Sequence, residues 1–156
     1  MAVHDYGTII RWTGNRGEGT AHYRSYDRHW DVAVPGKQVI HCSNDPLLGG
    51  DPGKMNPEDL LLSALSACHM LWYLHYASEA GVVVIGYEDN PTGQGEVEPG
   101  GAGRFLSVTL RPDITVVPGT DLALAEALHA RIPEVCFIAR SVCFPVHHEP
   151  VFHIAE

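Results

Sequence analysis

Apolar positions run almost without a break through residues 56–81, NPEDLLLSALSACHMLWYLHYASEAG. Past the acidic first turn, only Ser63, Ser66, His69, His75, Ser78 and Glu79 interrupt them. The ends carry helix signals: Asn56 as N-cap, Pro57 at the first helical position, Glu58 and Asp59 in the first turn, and Gly81 as the stop. The pattern predicts one helix about 36 Å long, apolar on every side and therefore buried.

Alternation and turn residues organise the rest. Residues 6–12, 20–26, 30–34 and 37–42 read as strands, with Pro35-Gly36 as a hairpin turn between the last two. Residues 43–54, SNDPLLGGDPGK, form a loop by composition. After the helix, residues 82–87 are β-branched. Residues 90–103, rich in glycine, read as a mobile hairpin loop, and 105–117 as the return strand. These glycines precede a strand rather than a helix, which removes a phosphate-cradle reading. Thr120 is expected to cap a helix over 121–131, Pro133 and Glu134 to open a shorter one through Ser141, and 146–154 to form a last strand. The expectation is an α+β fold in one domain spanning residues 1–156, with an antiparallel sheet wrapped around the long helix. One sheet cannot cover such a helix on all sides, so a second subunit is expected to complete the burial.

Composition narrows the function classes. The helix approaches membrane-spanning length, but it contains two histidines and lacks basic residues beside its C-terminal end, so it reads as a core helix. Net charge is −9, with 10 Lys+Arg against 19 Asp+Glu, and no basic cluster offers a nucleic-acid surface. The first residues show no basic or apolar leader pattern, which makes the cytoplasm the expected location. There the four cysteines, Cys42, Cys68, Cys136 and Cys143, are expected as thiols rather than structural disulfides. No CxxC or HExxH spacing is present, and His147 and His148 on a strand point to opposite faces, so no metal is expected.

Cys68 lies mid-helix, 11 residues past Pro57. That is beyond the helix dipole's reach, so a reactive thiolate would need a cation or donor from elsewhere. His69 projects about 100° around the helix from Cys68, and His75 lies about 10 Å along it. Both read as hydrogen-bonded interior or interface histidines. On position alone Cys68 reads first as a packed thiol.

NPEDLLLSALSACHMLWYL, with ALHARIPEVCFIARSVCFPV far downstream, resembles the OsmC/Ohr family of thiol-dependent peroxidases. ACHMLWYL and YEDNPTG bring it nearer the OsmC-like branch. The resemblance implies Cys68 as peroxidatic cysteine, Cys136 as resolving cysteine, Glu58 as the acidic partner and Arg28, in SYDRHW, as activating arginine, with Arg24 close by. It implies an intertwined homodimer, no cofactor, a peroxide as substrate and a lipoyl-type dithiol as reductant, while the apolar Leu65, Leu71 and Trp72 around Cys68 point to an organic hydroperoxide. Cys143, seven residues after Cys136, departs from the family pattern. On a continuous helix the two would lie about 10 Å apart, and only one could meet Cys68, because disulfide Cα atoms come within about 7 Å. The motif favours Cys136.

Glu58 and Cys68 are separated by about 15 Å along one helix. Crossing two helices antiparallel about a two-fold axis would bring Glu58 of one subunit toward Cys68 of the other, and a composite site is expected. The competing readings are a hot-dog thioesterase or dehydratase, which would draft His75, and a non-enzymatic redox sensor or hydrophobe-binding protein.

Overall fold

The computed structural model describes all residues, Met1–Glu156. The chain forms two compact units, Met1–Leu60 and Leu61–Glu156.

The first unit holds a three-stranded antiparallel sheet, β1 (Ile9–Trp12), β2 (Trp30–Ala33) and β3 (Ile40–Cys42), in the order β1-β2-β3. The β2–β3 turn is the expected one. Lys37 N donates to Val34 O at 3.0 Å, and Gly36 takes φ 78°, the left-handed position that a type II turn requires after proline. Residues 20–26 do not form the expected strand. Hydrogen bonds from Gly17 N and Gly19 N to Asn15 Oδ1, and from Ser25 N to His22 O, close them into local turns.

Helix α1 (Pro57–Glu79) has the predicted limits. A reciprocal capping box starts it: Asp59 N donates to Asn56 Oδ1 at 2.7 Å and Asn56 N to Asp59 Oδ2 at 3.1 Å. Val82 N, bonded to Ala77 O at 2.9 Å, and Gly81, at φ 74°, end it. The helix is not covered all round by its own chain. Leu65, His69, Tyr73, Tyr76 and Ala77 are buried, while Ser63, Ala67, Leu71, His75 and Ser78 form an exposed stripe.

In the second unit β4 (Val84–Asp89) pairs with β7 (Pro112–Val116), and β5 (Thr92–Val97) with β6 (Gly103–Leu110), both antiparallel. Together they make a long hairpin with one break in each arm. Residues 90–103 are thus mostly strand, and the true turn is only residues 98–102. Glycine misleads there because Gly93 serves packing: a Cβ at that position would collide with the Phe105 ring.

The C-terminal strand is also split, into β8 (Val146–His148) parallel to β6 and β9 (Val151–Ile154) parallel to β7. The sheets are therefore mixed, not purely antiparallel. The connection over residues 117–145 is long enough for a crossover, which parallel pairing needs. Proline marks all three breaks, at Pro91, Pro112 and Pro150, where a missing N–H interrupts the ladder. Asp89 repairs one of them by accepting from Arg111 N at 2.6 Å and from Ser66 Oγ of α1 at 2.5 Å.

Each half-sheet has its own core. Tyr73, Tyr76 and Ala77 of α1 pack with Ile114, Val116 and Ile132, and Leu65 packs with Val108 and Leu110. Asp121, not Thr120, caps α2 (Leu122–Ala127), accepting from Ala123 N and Leu124 N. The Thr120 hydroxyl is already committed to Val117 O. Beyond Ala127 the chain tightens into a 3₁₀ helix, Leu128–Glu134, with Pro133 inside it. A second short one covers only Ala139–Ser141. The expected helix from Pro133 through Ser141 is absent, and Cys143 lies in a bend between the short 3₁₀ turn and β8.

Candidate active site: a thiol pair beside a histidine column

Ser66, anchored to Asp89, sits half a turn before Cys68 on α1. Cys68 is half-buried, packed against the core formed by Tyr73, Ile114 and Ile132. Cys136 comes to it from the turn after the 3₁₀ helix Leu128–Glu134. Cys136 N donates to Ile132 O at 2.8 Å, and Ala139 N donates to Cys136 Sγ at 3.4 Å. Cys68 and Cys136 pack in the same core cluster, and the Cys68 side chain acts on the Cys136 thiol. Burial first, and the neighbouring Cys68 side chain second, push the Cys136 thiol up to about 11, so it stays protonated at neutral pH.

The other cysteines stand apart from this pair. Cys42 is fully buried in β3, and burial and Asp31 raise its thiol above the ordinary value. Cys143 is exposed, while its neighbours Val142 and Phe144 pack inward.

The proposed partners Arg28 and Glu58 lie in the first unit and do not pair with each other there. The Arg28 guanidinium is held by its own loop: Nη1 donates to Tyr26 O and Nη2 to Tyr23 O, each at 3.1 Å. It also lies over the rings of Tyr23, at 4.3 Å, and Tyr26, at 4.6 Å. Glu58 is exposed in the first turn of α1. Of the apolar side chains expected around Cys68, Trp72 packs against the same core, Leu65 is buried in the other one, and Leu71 is 63% exposed.

A column of rings stands beside the thiols, and its assembly is not visible in the sequence. His129, in the 3₁₀ helix, stacks on Tyr73 at 4.3 Å, on His69 at 5.1 Å and on His148 at 5.4 Å between ring centroids. His69 Nε2 and His129 Nδ1 share a hydrogen bond of 2.8 Å. Burial is the main cause that lowers His69 to about 4 and His129 to about 3, and it lowers His148 as well. The column is therefore neutral at pH 7. His69, His148 and Cys136 also line one cavity of about 20 Å³. His69 is thus the interior histidine the sequence predicts. His75, which a thioesterase would need inside the helix, is exposed and lies 3.6 Å from Glu79. These histidines do not converge as a metal-binding group, and no helix is long and apolar enough to cross a membrane.

Comparison with known proteins gives the same frame. A family model described as OsmC-like protein matches residues 49–150. No curated protein matches. Among solved structures, an OsmC-like protein of unknown function from Vibrio cholerae O1 biovar eltor shares 28% identity, with a TM-score of 0.84 over 96% of this chain and 100% of that one. An organic hydroperoxide resistance protein OsmC from Legionella pneumophila has 20% identity and a TM-score of 0.67, covering 97% of this chain and 98% of that one. One from Elizabethkingia anophelis, also an organic hydroperoxide resistance protein, has 16% identity and a TM-score of 0.69, covering 99% of each chain. At those identities the last two speak for the fold alone. The family match spans the whole of α1 and both thiols of the pair, and by it the chain belongs to the OsmC/Ohr family.

Proposed function

We propose that the protein is a thiol peroxidase that reduces organic hydroperoxides through Cys68 and Cys136. The observation that carries this reading is a pair of neighbouring thiols in unlike surroundings. Cys136 is 1% exposed and held protonated, whereas Cys68 is half-buried and so is the one a substrate can reach. The Cys68 thiolate attacks the outer peroxide oxygen. The O–O bond breaks, the alkoxide leaves and takes a proton as the alcohol, and Cys68 becomes a sulfenic acid. The Cys136 sulfur then attacks the Cys68 sulfur. The thiol proton and the departing hydroxide leave as water, and a disulfide remains. An external dithiol, in this proposal a lipoyl-type one, takes that oxidation state and restores both thiols.

Arg28 is the proposed activator of Cys68, with Glu58 orienting it: a permanent positive charge stabilises a thiolate, and a carboxylate holds a guanidinium fork in place. The exposed stripe of α1, with Leu71 at its centre, supports a homodimer. Crossing α1 on its copy would supply Glu58 and Arg28 to the partner's Cys68. Trp72 and the apolar core against Cys68 support an organic over an inorganic peroxide. In a coupled peroxide assay with a dithiol reductant, Cys68→Ser should lose all turnover. Cys136→Ser should stop after one turnover with a sulfenic acid on Cys68. Sustained turnover in Cys68→Ser would refute the proposal.

A further inference from the structure

Three elements converge on His129: α1 through His69 and Tyr73, β8 through His148, and β9 through Phe152, whose ring meets His129 edge-on at 6.1 Å. His129 is 1% exposed, and its Nε2 has no partner. An unpaired buried acceptor is tolerated more readily than an unpaired N–H. The favoured tautomer therefore has His129 Nδ1–H donating to His69 Nε2 across the 2.8 Å gap.

That bond joins the segment that bears Cys68 to the one that leads into Cys136. His69 is the residue after Cys68 on α1. From His129 the chain passes through a short 3₁₀ helix to Cys136, whose N–H is bonded back to Ile132 O. No strand ladder registers Cys136, so its position depends on what fixes this turn. Resting on the thiol-pair reading above, we infer that His69 and His129 are positioning residues that hold Cys136 against Cys68 through the hydrogen bond between their rings. Their neutrality suits this task, since two charged rings at this distance would repel and the bond would open.

Geometry gives a test that separates this role from mere packing. Glutamine places its amide where the Nε2 of histidine lies, and asparagine where Nδ1 lies. His69→Gln and His129→Asn therefore keep a bonding atom in place, whereas His69→Asn and His129→Gln do not. The readout is the equilibrium of Cys68–Cys136 disulfide in glutathione buffers: the protein dithiol and one oxidised glutathione give the protein disulfide and two reduced glutathiones. It is measured on variants whose near-UV circular dichroism is native-like, and it needs no peroxide. The matched pair should stay within about threefold of wild type, and the mismatched pair should lose about tenfold or more in effective thiol concentration. Matched and mismatched variants behaving alike, whether all retained or all lost, would overturn the inference. A wild type that pairs its thiols in this buffer but reduces no hydroperoxide would instead contradict the proposed function and leave this inference standing.

Discussion

Acid should destabilise this protein through two buried imidazoles, and the size of the effect follows from their surroundings. Burial lowers His69 from 6.5 to about 4 and His129 from 6.5 to about 3. The unfolded chain therefore binds more protons than the folded one as pH falls below 6.5. The stability these rings contribute is present above that value and is lost down to about 4 for His69 and 3 for His129. Between pH 7.5 and 5 each ring accounts for about 2 kcal/mol, so the pair removes about 4 kcal/mol. This is a large share of the roughly 5–15 kcal/mol by which folded domains exceed unfolded ones. Other groups titrate over the same range, so the assay compares wild type with His129→Phe. Urea unfolding at half-unit steps from pH 7.5 to 5 should show the variant losing about 2 kcal/mol less than wild type. Parallel pH dependences for the two proteins would refute the view that His129 is held neutral by its burial.

Two further predictions rest on other contacts. Asp89→Ala leaves Arg111 N and the Ser66 hydroxyl without their shared acceptor at the sheet break and should cost about 2 kcal/mol in urea unfolding, with Asp89→Asn recovering part; no loss would mean the bend holds without this anchor. For the composite site, inactive Cys68→Ser chains are mixed with Glu58→Ala or Arg28→Met chains under conditions of proven subunit exchange. Peroxidase activity should return, because one site of each mixed dimer is intact, whereas continued inactivity would place each site within a single chain.

Local signals made much of this molecule legible in sequence. Asn56, Asp59 and Gly81 fix the limits of α1 because caps act within a turn, and the Pro35-Gly36 turn is specified by the two residues that form it. Nonlocal features were hidden. Nothing in the sequence around Val146 or Val151 states that these strands run parallel to β6 and β7, since that direction is set by the whole preceding crossover. Gly93 reads as loop until the Phe105 ring that occupies its missing side chain is known. Within the site, the motifs single out Cys68 and Cys136, and the fold brings these two thiols together. The histidine column was out of reach, because His69, His129 and His148 come from three elements with no shared spacing. Its place on α1 marked His69 as an interior histidine, but no local signal tied it to His129 or His148.

The chemistry of the thiol pair is open to one direct measurement. Reduced protein is treated with one equivalent of an organic hydroperoxide, quenched with an alkylating reagent, and weighed intact before peptide mapping. The account predicts a loss of two hydrogens per chain, with Cys68 and Cys136 linked to each other and Cys42 and Cys143 alkylated. A chain that keeps four alkylatable thiols after exposure to the peroxide, or a disulfide that maps to any other pair, would contradict it.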